Sequence, residues 1–230
     1  MEYNKKGFKS ELLSLADDKY REFSQKLGMG RLEILGIKIP VLKQLAKSLA
    51  KTNWKDFFNE QENFCAEVVT LKGMCIGYAK IEFNEFLLYL KKFFVMVESW
   101  VETDTTVPTF RIILKNKELV WQEIMLHLFC DIEYEARLAI IILLDYFLTD
   151  EWIDNVLEVL PKINQGKYYV DMALAWLLSV CFVKYREKTL SLFEKKSFSK
   201  FVQNKAIQKC RESFRISDDD KQLLLNFKIS

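Results

Sequence analysis

Apolar residues recur at spacings of three and four along almost the whole chain, the mark of helices with one buried face. In "FKSELLSLADDKYREFSQKL", Phe8, Leu12, Leu15, Tyr20, Phe23 and Leu27 fall on a single stripe, which predicts a helix. "GMGRLEILG" interrupts the pattern with Gly28, Gly30 and Gly36 and predicts a loop. "IPVLKQLAKSLA" restarts it, with Pro40 placed for a first helical turn. "NEFLLYLKKFFVMVESW", "DIEYEARLAIIILLDYFL", "KYYVDMALAWLLSVCFVKY" and "SFSKFVQNKAIQKCRESF" are further helices. "SDDDKQLLLNF" places a Ser and three Asp at a helix start, where anions meet unpaired N–H groups.

No strand pair or hairpin turn is visible, and helix pairs recur at several tens of residues. The expected class is all-α: one domain over residues 1–230, an α-solenoid of HEAT-like helical hairpins. Each hairpin would bury its apolar face against its neighbours. A compact irregular bundle is the alternative.

Composition agrees with helices. Only 7 Gly and 3 Pro occur, fewer than the turns of a sheet protein of this length need. Half the residues are hydrophobic, with 18 Phe, 9 Tyr and 5 Trp, which argues against disorder. The N-terminus is mixed in charge, unlike a secretory signal. "LAIIILLDYFL" is too short for a membrane span and carries Asp145. Five widely spaced cysteines with no Cys-x-x-Cys read as reduced, mostly buried thiols of a cytoplasmic protein.

His127 is the one histidine, and "WQEIMLHLFC" reads as offering it no acidic partner at ligand spacing. A Ser-His-Asp triad and a zinc site with several histidines are thereby disfavoured, so no metal and no cofactor are expected. Any catalysis would use carboxylates, Arg, Lys, Tyr or Trp. Charge is uneven: residues 1–60 carry 12 basic against 8 acidic groups, 61–160 carry 8 against 17, and 161–230 carry 14 against 7. Basic ends curled to one side would make a positive surface; solvated helix faces are the plainer reading.

Four residues stand out, each with a plain explanation beside it. Trp100 and Asp104, in "ESWVETDTTV", lie one helical turn apart, although Asp104 alone would pass as a helix cap. Arg137 opens the apolar "YEARLAIII" and needs a partner, for which Glu133 at i−4 would serve. Trp176, in "YYVDMALAWLLSV", would pass as core packing.

Their order and context carry a resemblance. "GMGRLEILGIKIPVLKQLAKSLAKTNW", "SWVETD", "YEARLAIIILLDYF", "YYVDMALAWLLSVCFVKY" and "NKAIQKCRESFRIS" follow one another across nearly the whole chain. In that order they resemble the DNA alkylation repair family of HEAT-like-repeat glycosylases, the AlkD type. The resemblance implies a curved solenoid whose concave face meets double-stranded DNA carrying alkylated bases, acting as a monomer away from membranes. It implies that Trp100 and Trp176 line the cleft, that Asp104 is the catalytic carboxylate and that Arg137 lies beside it.

The implied chemistry suits these residue types. Alkylation at N3 or N7 makes a purine cationic and weakens its glycosidic bond, and its departure develops oxocarbenium character on the sugar. A carboxylate stabilises that cation, and indole faces attract it. Ser179 and Val180, in "WLLSVCF", stand where active members of the family carry an Arg-Glu pair. That departure keeps a second reading open: a HEAT-like module without catalysis that binds branched or damaged DNA, or a protein partner.

Overall fold

A computed structural model describes residues 3–28 and 30–230. Among the described residues, fourteen α-helices, several short 3-10 turns and one π-helical turn account for the regular structure, and no strand occurs. Internal contacts group the chain into two compact units, Met1–Asn116 and Lys117–Ser230.

The first unit holds α1 (Lys5–Ser14), α2 (Asp18–Lys26), α3 (Ile39–Leu49), α4 (Trp54–Asn59), α5 (Ala66–Tyr78), α6 (Phe83–Phe94) and α7 (Trp100–Thr106). Helix α5 is its centre, buried at every position from Ala66 to Ile76 and packed against α3, α4, α6 and α7. Its apolar residues run all the way round, as a helix enclosed by others requires.

The loop between α2 and α3 is held by a single carboxylate. Glu67, in the first turn of α5, accepts hydrogen bonds from the backbone N–H groups of Leu35 (3.0 Å), Gly36 (2.8 Å) and Ile37 (3.2 Å). Gly36 adopts φ +84°, and a Cβ there would stand 2.4 Å from the Asp17 carbonyl oxygen. The end of the loop predicted from its glycines, around Leu35 and Gly36, is therefore an ordered strap, while Met29 lies outside the described residues.

The second unit holds α8 (Lys117–Leu128), α9 (Glu133–Ile142), α10 (Ile153–Val159), α11 (Tyr168–Lys184), α12 (Arg186–Glu194), α13 (Lys200–Glu212) and α14 (Asp218–Leu223). Helix α11 is its centre, packed against α9, α12 and α13. Helix α9 continues into a π-helical turn, Leu143–Phe147, which buries Tyr146 and Phe147 and leaves Asp145 exposed. Trp121, Phe147 and Trp152 close into an aromatic triangle with centroids 5.1 to 5.4 Å apart.

Two predicted helices are each two. The stripe from Phe8 to Leu27 breaks after Ser14, because Asp17 caps a new helix by accepting from the N–H of Tyr20 at 3.0 Å. The segment ending at Trp100 stops at Phe94, because Ser99 starts α7. The cap read in "SDDDKQLLLNF" is present, with Ser217 Oγ accepting from the N–H of Asp220 at 3.2 Å.

Candidate functional site

In the first unit the candidate residues belong to α7, and its start is set by a reciprocal cap. Ser99 Oγ accepts from the N–H of Glu102 at 3.3 Å, while Glu102 Oε2 accepts from the N–H groups of Ser99 (3.0 Å) and Glu98 (2.7 Å). This capping box makes Trp100 the first helical residue. Asp104 then lies within the helix one turn later, so the plainer reading of Asp104 as a cap does not hold; Ser99 is the cap.

Trp100 and Asp104 are both half-buried. Between them sits Thr103, fully buried, whose hydroxyl lies 2.7 Å from Asp104 Oδ1 and 2.9 Å from the Trp100 carbonyl oxygen. It has one proton and donates to either acceptor. Thr103 thus ties the carboxylate to the backbone turn that carries the indole. Beneath them, burial pushes the Glu102 carboxyl up to about 7, and its Oε1 is buried without a hydrogen-bond partner.

In the second unit the candidates come from two packed helices. Arg137, 5 % exposed in α9, donates from Nη1 to the carbonyl oxygen of Tyr169 at 2.8 Å. Glu133, one turn earlier, accepts from the N–H of the same Tyr169 at 2.7 Å. The two oppositely charged residues therefore grasp both backbone groups of one residue in the first turn of α11. Glu133, the partner predicted for Arg137, thus meets the same residue, Tyr169.

Trp176 departs from the plainer reading of core packing: it is 37 % exposed although its neighbours on α11 from Ala173 to Ser179 are buried. It lines an open hollow of about 300 Å³ with Ser179, Val180, Lys209, Glu212 and Arg215. Ser179 is buried and donates its hydroxyl back to the Trp176 carbonyl at 2.7 Å. Burial, together with the Lys205 and Arg137 charges, holds the Lys209 ammonium below its ordinary pKa. Arg137 and Trp176 thus share a cationic neighbourhood through Lys209.

One expectation needs adjustment. His127 does have acidic neighbours: Nδ1 lies 2.7 Å from Glu135 Oε2, and Nε2 lies 3.6 Å from Glu123 Oε1. Glu123 stands at i−4 on the same helix and was overlooked; Glu135 arrives from α9. The trio ties α8 to α9, a structural role. Among the described residues no group of three or more His, Cys, Asp or Glu is placed to hold a metal ion. No helix among them is long and apolar enough to cross a membrane. All five cysteines are free, four of them buried.

Thr103, Tyr169, Lys209 and Arg215 are the residues that sequence reasoning missed. Only the Ser-x-x-Glu of "SWVE", which sets the start of α7, carried a local signal. Comparison of the chain with family models, with curated proteins and with solved structures gives no match.

Proposed function

We propose that the chain is a DNA N-glycosylase that removes cationic N3- or N7-alkylated purines from double-stranded DNA. In this reading its helices stack as a HEAT-like solenoid with a concave face toward the duplex. The observation that carries it is Asp104: a half-buried carboxylate one turn from Trp100 and steadied by the Thr103 hydroxyl. A carboxylate so placed suits a reaction that develops positive charge, and the indole beside it offers that charge a negative face.

The bond that breaks joins the purine nitrogen to the sugar's anomeric carbon, and its electron pair leaves with the cationic base. Asp104 stabilises the sugar cation and orients the water that adds to it; the proton released from that water passes to solvent. Trp100 and Trp176 pack against deoxyribose. Arg137 lies beside this chemistry and also gives one of its N–H groups to the Tyr169 carbonyl, so it positions α11, and with it Trp176. Lys209 and Arg215, which line the Trp176 hollow, add phosphate attraction. The free thiols support a reducing, cytoplasmic setting.

Ser179 and Val180 favour the second reading, a DNA-binding module without catalysis, because they line the Trp176 hollow with a small hydroxyl and an apolar group. The test is release of methylated purine bases from methylated duplex DNA. Release is expected. Tight binding of branched DNA with no release from the duplex would transfer the assignment to the binding module.

A further inference from the structure

The second unit carries a line of aromatic rings that the proposed reaction does not use. Tyr134 lies tilted against Tyr169 at a centroid distance of 5.3 Å, Tyr169 meets Tyr168 at 5.1 Å, and Tyr168 meets Phe201 at 6.1 Å. These four rings belong to the first turns of α9, α11 and α13. The last two of the line are open to solvent, Tyr168 at 58 % and Phe201 at 42 %. Each is preceded by an exposed lysine, in "Lys167-Tyr168" and "Lys200-Phe201", so a cation and a ring recur together at the start of two neighbouring helices.

Phe201 also lines a separate open groove along α13, of about 620 Å³. Lys200, Lys205, Arg211 and Lys228 line it as well, and none of its lining residues is acidic. Carboxylates stand beside the inner rings: Glu133 accepts from Tyr169 N–H, and Asp171 accepts from Gly166 N–H at 3.0 Å. Positive charge is concentrated in the α13 groove, where Phe201 lies with Lys200, Lys205, Arg211 and Lys228.

We infer that this ring line and the α13 groove form a binding site for single-stranded nucleic acid. Unpaired bases stack on Phe201 and Tyr168 while the phosphodiester chain follows the lysines and arginine. An exposed ring beside a cation is what a sequence-tolerant single-strand site needs, since every base offers a face and every nucleotide a negative charge. A paired duplex keeps its bases stacked on one another and gains nothing from the rings, so this site is distinct from the excision chemistry and stands whether or not a base is released.

The test measures fluorescence anisotropy of labelled (dT)20, (U)20 and an unmodified 20-base-pair duplex with the full chain, the Tyr168→Leu/Phe201→Leu variant and the Lys200→Gln/Lys205→Gln variant. Both pairs of positions reach solvent, and circular dichroism checks that the variants fold. Loss of the two rings is expected to weaken single-strand binding by about tenfold per ring, with duplex affinity unchanged within about twofold. Loss of the two lysines is expected to reduce the salt slope of single-strand binding by about 0.7 for each phosphate no longer neutralised. Ring-dependent binding of either strand supports the inference, and the tighter strand identifies the preferred sugar. Absence of single-strand binding, or a ring variant that weakens duplex and single strand by the same factor, would overturn it.

Discussion

Arg137 and Tyr169 are joined by a hydrogen bond of 2.8 Å from a buried guanidinium to a backbone carbonyl. A charge this deep is costly unless it is used, and here it fastens the start of the helix that carries Trp176. Replacing Arg137 with Met is expected to lower stability by about 1.5–3 kcal/mol, since it removes a charged hydrogen bond to the partly buried Tyr169 carbonyl. Urea unfolding of the two proteins measures it. A change below about 0.5 kcal/mol would mean that Arg137 behaves as a surface contact.

Glu102 makes stability depend on pH. Its carboxyl lies at about 7 in the folded chain against an ordinary 4.5, because burial disfavours the charged form. The folded state therefore holds this proton more tightly than the unfolded state does. That contribution is complete below pH about 4.5 and is lost as pH rises to about 7, on the order of 3 kcal/mol across the window. Glu102→Gln, which keeps a capping-box side chain without the charge, is expected to remove this slope and to be the more stable protein at pH 8. Thermal unfolding from pH 4.5 to 8 checks it, and equal slopes for the two proteins would refute it.

Gly36 is held between a carboxylate and a neighbouring backbone. With φ at +84° and a Cβ that would sit 2.4 Å from the Asp17 carbonyl oxygen, Gly36→Ala is expected to cost about 2 kcal/mol or more. Denaturant midpoints measure it, and an unchanged midpoint would mean that the strap held by Glu67 is not formed.

Much of this was legible in the sequence where interactions are local. The helices over "KYYVDMALAWLLSVCFVKY" and "SFSKFVQNKAIQKCRESF" follow from apolar spacing, and the Ser217 cap from its three aspartates. The breaks at Asp17 and Ser99 were written there too, as a capping Asp and a Ser-x-x-Glu, but an apolar stripe that continues in phase across a turn conceals them. The π-helical turn was hidden for the same reason, since Leu143 to Phe147 look like more of the same helix. Contacts between distant residues were not legible. Nothing near Arg137 announces Tyr169, 32 residues later. Trp176 looks like core because α11 is apolar on every side, and only the packing of α13 beside it leaves the indole partly open.

Thr103 tests whether the carboxylate needs to be held. Thr103→Val keeps the shape and removes the hydroxyl that lies 2.7 Å from Asp104 Oδ1. Single-turnover base release is expected to fall by roughly tenfold, about what one hydrogen bond to a charged group is worth. Release at the wild-type rate would show that Asp104 is positioned without it.

The central claim is that Asp104 stabilises a cation on the sugar. The direct measurement is the single-turnover rate of 3-methyladenine and 7-methylguanine release from methylated duplex DNA, for the wild type and Asp104→Asn, at matched folding and DNA affinity. Release by the wild type, with a loss of about a hundredfold or more in the variant, is the expected result. Equal rates in the two proteins, or no release from either, would contradict it.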